Sequence, residues 1–187
     1  MTREEAVKIL KEYNSTESLL QHAYGVEAVM RYFARKEGED ENYWGNIGLL
    51  HDLDYELYPD QHCIKTEEIL KEKGVEKDFI RSILSHGYGI CTDVKPEHYM
   101  EKVLYASDEL TGLIKATCLV RPSRSILDLK PKSVTKKWKD KAFAAGVDRK
   151  TLERGLEMLG LERAELIQEC INAMKEVAEE IGLKGNL

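Results

Sequence analysis

Residues 14–38, NSTESLLQHAYGVEAVMRYFARKEG, decide the fold. Leu19, His22, Val26, Val29, Met30 and Phe33 recur at helical spacing and share one stripe. Asn14-Ser15-Thr16 can cap this helix, and Gly38 stops it. His22 is the polar residue on an otherwise apolar face.

Similar signals continue in both directions. Thr2-x-x-Glu5 is a capping box ahead of Ala6, Ile9, Leu10 and Tyr13. A third helix is expected from about Asn42 to His51, then a loop closed by Pro59. A fourth runs from Asp60 to Lys73, with Gly74 as its stop. Lys77 to His86 is a fifth, ended by Gly87 and Gly89. Pro96 opens a sixth that reaches about Val120, before Arg121-Pro122. Further helices are expected from Ser133 to near Gly146, from Asp148 to Gly160, and from Glu162 to Ile181. No alternating β-branched run, hairpin turn or internal repeat interrupts the series. The expected class is all-α: a helical core over 1–121, with a basic segment and helical extension over 122–187 packed on it.

The composition fits. The chain has 187 residues, 42% hydrophobic and 33% charged, which is enough to bury a core without disulfides or structural metal. No apolar run approaches the roughly 18 residues of a membrane span, so no membrane partner is expected. The start, MTREEAVKIL, has no apolar signal-peptide region. Cys63, Cys91, Cys118 and Cys170 are far apart in sequence with no C-x-x-C pair, which fits a reducing cytoplasm. The net charge of −6 argues against a stable nucleic-acid partner. Charge is uneven, however. Residues 115–154 carry twelve Lys/Arg against four acids, leaving the rest of the chain at −14. That window is either a solvated basic surface or an attraction for a phosphorylated ligand.

His22, His51, His62, His86, Asp52 and Asp108 all fall where helices or helix ends point inward. Each alone reads as a hydrogen-bonded core residue. Together they would be costly to bury without a partner, and a divalent cation is the natural one for imidazoles and carboxylates. Helical bundles build metal sites this way. His98 lies on the wrong face and reads as surface.

The order His22, His51-Asp52, Asp108 resembles the HD superfamily of metal-dependent phosphohydrolases, and GLLHDLDYE (48–56) resembles its signature segment. The likeness covers roughly residues 20–115. It implies an HD-domain helical bundle in which His22, His51, Asp52 and Asp108 hold one metal. Asp52 would bridge to a second held by His62 and His86, unless those two histidines bind substrate phosphate instead. SDELTGLIKATCLVRP (107–122) and KSVTKKWKDKAFAAGVDR (132–149) resemble small stand-alone bacterial and archaeal HD proteins of predicted hydrolase function. The family's usual HD-Ile-Gly-Lys segment is here His51-Asp52-Leu53-Asp54, and no Gly-Tyr-Pro signature is present. Both departures tell against a cyclic dinucleotide substrate.

The resemblance implies a phosphohydrolase for a nucleotide or other small phosphoester, with Asp52 as its catalytic residue. The cofactor would be a divalent transition metal, as two ions, drawn from Fe, Mn, Co and Zn, or Mg in their place. Such ions make hydroxide available near neutral pH by acidifying a bound water. Lys115, Arg121 and Lys141 are the candidate phosphate contacts; otherwise each is a solvated cation. Glu56 reads as a solvated loop residue and Asp60 as an N-cap. Two other functions suit the same residues: an HD-type diiron oxygenase, and a non-catalytic metal-containing binding module.

Overall fold

Two 21-residue helices, α2 (Glu17–Glu37) and α6 (Tyr99–Leu119), pack on each other at the centre of the fold. The computed structural model describes residues 1–186. Among them the other helices are α1 (Arg3–Tyr13), α3 (Glu41–Leu50), α4 (Ile64–Glu72), α5 (Lys77–Leu84), α7 (Pro131–Lys139), α8 (Arg149–Leu159) and α9 (Arg163–Glu176). Short 3-10 turns cover Pro59–Gln61 and Ser85–Gly87. No strand occurs among the described residues beyond an isolated bridge between Tyr88 and Thr92, and the class is all-α as expected. No described helix is long and apolar enough to cross a membrane.

The stripe on α2 buries Val26, Val29, Met30 and Phe33, and Gly38 ends the helix in the left-handed conformation. α3 lies close against it because Gly48 has no side chain. A Cβ there would stand 2.7 Å from Met30 Cγ and 3.1 Å from the Val26 carbonyl oxygen. That approach carries His51, at the end of α3, toward His22 on α2.

One apolar core runs through both halves of the chain, from Ala6, Val29 and Leu104 to Trp138, Ile167 and Leu183. α8 packs on α6, and α9 on α2. The Ile126 N–H donates to the Leu183 carbonyl at 2.8 Å, closing the C-terminal segment onto the chain beyond α6.

Several boundaries differ from expectation. α6 starts at Tyr99 rather than Pro96, because His98 and Glu101 form a capping box there. The expected Asp60–Lys73 helix is broken. His62 and Cys63 lie between the 3-10 turn and α4, and Cys63 has a left-handed φ of 69°. α5 ends at Leu84, leaving His86 in the following 3-10 turn. α7 stops at Lys139 instead of continuing toward Gly146. The Arg149 guanidinium donates to the carbonyls of Lys137, Ala144 and Val147, among others, and fixes this stretch as coil. α9 ends at Glu176, before Ile181.

Candidate metal centre

His51 is fully buried at the C-terminal end of α3, and its Nδ1–H donates to the Gly48 carbonyl at 2.7 Å. Its Nε2 therefore faces the interior of the cluster. His86 is held the same way, with Nδ1–H donating to the Ile83 carbonyl at 2.6 Å. Nδ1–H of His62 donates to the Asp54 carboxylate at 2.7 Å. A carbonyl or an ionised carboxylate only accepts, so each of these bonds fixes a proton on Nδ1.

The Nε2 atoms converge. His22 Nε2 on α2 is 3.2 Å from His51 Nε2 and 3.1 Å from Asp108 Oδ1 on α6. His62 Nε2 and His86 Nε2 are 3.1 Å apart. Asp52 stands between the two groups. Its Oδ2 lies 3.6 Å from His22 Nε2 and 3.4 Å from His51 Nε2. Its Oδ1 lies 3.5 Å from both His62 Nε2 and His86 Nε2. His22, His51, Asp52 and Asp108 thus form one donor group, and Asp52, His62 and His86 another.

The donor set fits a divalent cation. His62 and His86 each donate through Nδ1 and turn Nε2 toward each other across 3.1 Å. A proton or a divalent cation between them would satisfy both nitrogens. The cluster's spacings of 3.1–3.6 Å match those of neighbouring ligands bonded to one ion at about 2.0–2.2 Å. Electrostatics agrees. Burial alone would lower the His51 pKa, yet the Asp52 and Asp108 carboxylates hold it well above the ordinary imidazole value. Burial would raise Asp52 and Asp108, but the facing imidazoles hold both below the usual carboxylate range. The pocket stabilises positive charge, which a metal ion supplies in place of protons.

Asp54 is the residue that the sequence reading missed. It is fully buried, accepts from His62 Nδ1, and accepts from the Thr66 N–H at 2.8 Å. An acid two residues beyond Asp52 was its visible signal, but its partner is eight residues away.

The candidate phosphate contacts separate. Lys115 is partly buried beside the cluster, where it lines a small cleft with His22 and Thr111 and donates to Gln21 Oε1 at 2.8 Å. Arg121 is committed elsewhere. Its guanidinium grips Asp128 at 2.7 and 2.8 Å and donates to the Ser125 carbonyl at 3.0 Å. It stands roughly 20 Å along α6 from Asp108 by helical rise. The expected phosphate contact is a tie for the 121–128 turn. Lys141 lies in the coil after α7, on an exposed groove of about 580 Å³ with Lys139, Lys150 and Arg154. None of the metal-site side chains lines that groove.

Glu56 is not solvated loop. Its carboxylate accepts from Ser15 N at 2.8 Å, Ser15 Oγ at 2.8 Å and Thr16 N at 3.0 Å, and so ties down the chain just before α2. These bonds hold it down to about 2. Asp60 is exposed in the Pro59–Gln61 turn, and the N-cap position of α4 falls to Cys63. His98 is exposed, at the N-cap of α6.

An all-helical core that gathers this donor set from α2, the end of α3, two short turns and α6 defines a domain able to hold divalent metal. A family model for the HD domain matches residues 19–113, and the chain belongs to that family. The match spans all six candidate ligands. Searches of the curated proteins and of the solved structures gave no match.

Proposed function

We propose that this protein is a metal-dependent phosphohydrolase acting on a nucleotide or another small phosphoester. The observation that carries this reading is Asp52, whose two carboxylate oxygens face two separate donor groups. His22, His51, Asp52 and Asp108 would hold one ion, and Asp52, His62 and His86 a second. When bound, such ions acidify a water and offset negative charge on a phosphoryl group.

The chain's own residues supply position and charge. Gly48, Asp54 and Ile83 accept from the Nδ1 atoms of three imidazoles and so turn their Nε2 atoms inward. Asp52 is the catalytic residue in this reading: it stays ionised and joins the two donor groups. Asp52 and Asp108 keep about a fifth of their side chains exposed, at 21% each, so a small substrate can reach them. Tyr55, 48% exposed, stands edge-on to His62 with ring centroids 5.4 Å apart. It offers an aromatic wall on which a base could rest. Lys115 is the nearby cation.

Phosphate release from a panel of nucleotides and phosphomonoesters, with Mn, Co, Fe, Zn and Mg each supplied in turn, tests this function. At least one substrate should turn over, and Asp52→Asn should abolish it. Folded, metal-loaded protein that releases phosphate from none of them overturns the hydrolase reading.

A further inference from the structure

Cys63 and Cys91 stand beside the metal centre without belonging to its two donor groups. Cys63 directly follows His62. Cys91 lies on the tight loop that leaves His86, where the Gly87 carbonyl accepts from Ile90 N and Cys91 N at 2.9 Å and from Thr92 N at 3.1 Å. The two sulfurs, 28 residues apart in sequence, are 2.7 Å apart in space. Cys63 is 1% exposed, and Cys91 is partly exposed and reachable from solvent.

Local backbone detail brings them together. Cys63 takes a left-handed φ of 69°, uncommon for a residue with a side chain. Gly87 leaves room for the pair: a Cβ there would overlap the Cys91 sulfur and stand 2.8 Å from that of Cys63. His62, Cys63 and Cys91 also group as donors, but the spacing does not suit a shared soft metal. Two thiolates on one zinc ion, with bonds of about 2.3 Å, sit roughly 3.7 Å apart. The His62 ring is moreover engaged at both nitrogens, by Asp54 and by the centre. A disulfide, at about 2.05 Å, needs only a small inward movement.

We propose that Cys63 and Cys91 form a reversible disulfide, made by a peroxide, that staples the His62 segment to the loop after His86. The Cys91 sulfur, as thiolate, attacks one oxygen of hydrogen peroxide. The O–O bond breaks, a sulfenic acid forms on Cys91, and the leaving hydroxide departs as water with the thiol proton. Cys63 sulfur then attacks Cys91 sulfur. The S–S bond forms, the S–O bond breaks, and a second water leaves with the Cys63 proton. Two thiols give up two electrons and two protons, and one peroxide becomes two waters. A dithiol reverses the reaction by exchange. The cross-link joins the two segments that carry His62 and His86, so an ion held there with Asp52 should escape more slowly.

The test treats reduced, metal-loaded protein with hydrogen peroxide, blocks remaining thiols with N-ethylmaleimide, and maps peptides without reduction. The expected result is a Cys63–Cys91 cross-linked peptide, lost on dithiothreitol treatment, with fully buried Cys118 and Cys170 still thiols. Cys63→Ser should stop at a Cys91 sulfenic acid that dimedone traps. Wild-type protein that carries Cys91 sulfinic acid and free Cys63, or that keeps both thiols, overturns the disulfide. A second arm measures metal release to a chelator. Oxidation should slow loss of one equivalent several-fold in wild type and not in Cys63→Ser; equal rates overturn the stapling. This second arm rests on the two-ion reading above, whereas the cross-link does not. A wild-type stoichiometry of one ion therefore refutes that reading and leaves the disulfide to be judged by its peptide.

Discussion

The fully buried carboxylate of Asp54 accepts a hydrogen bond from His62 Nδ1 at 2.7 Å, while the opposite nitrogen of the same ring faces Asp52 and His86. One buried acid thereby sets both the tautomer and the direction of a candidate ligand. Such outer partners commonly carry about 10–100-fold of metal affinity. Asp54→Ala should weaken binding of one of two ions by that order, and titration followed by metal analysis will show it. Unchanged affinity would mean that the His62 orientation is set by packing alone.

The ligands themselves should separate by donor group. His51→Ala and Asp52→Ala remove donors from the first group or from both, and each should lose metal on purification without chelator. His86→Ala removes a donor from the second group only and should keep about one ion per chain. Elemental analysis decides between outcomes. Wild-type protein with one ion, retained in His86→Ala, would return His62 and His86 to the role of substrate contacts.

Lys115 and Arg121 should now behave differently. Lys115→Ala, beside His22, should raise KM for a phosphorylated substrate and leave metal content unchanged. Arg121→Ala should leave KM unchanged and lower the melting temperature only slightly, because the Asp128 pair it breaks is exposed to solvent. Steady-state kinetics beside thermal melting distinguishes them. A raised KM in Arg121→Ala would place substrate at the far end of α6 after all.

Glu101 gives a pH prediction away from the metal centre. Its carboxylate is 3% exposed on α6, paired with Arg81 on α5 and bonded to the N–H groups of Glu97 and His98. Burial would raise its pKa, and these partners together lower it. A lowered carboxylate contributes stability that is present above its unfolded value of about 4.5 and is lost as pH falls through the folded value. Glu101→Gln should cost roughly 1–2 kcal/mol at pH 7. The gap from wild type should shrink as the solution is acidified below pH 4.5. Urea melts at several pH values measure this, and a gap that widens with acid would contradict the sign.

The sequence by itself determined most of the helices and named all six candidate ligands. The α2 stripe, the Gly38 and Gly160 stops, and the Asp148 cap are short-range features, because periodicity and capping act within one or two turns. His22, His51 and Asp108 were visible as polar groups on inward faces for the same reason. Tertiary structure decided what those faces meet. No spacing rule relates Glu56 to Ser15, Asp54 to His62, or Cys63 to Cys91. Arg121 looked free in sequence until Asp128, on the other side of a turn, took its guanidinium. The break at Lys139 has a similar origin: Arg149, ten residues on, takes the carbonyls of Lys137, Ala144 and Val147. Helical periodicity records which side of a helix is buried. It does not record which side chain comes to lie opposite once the helices have packed.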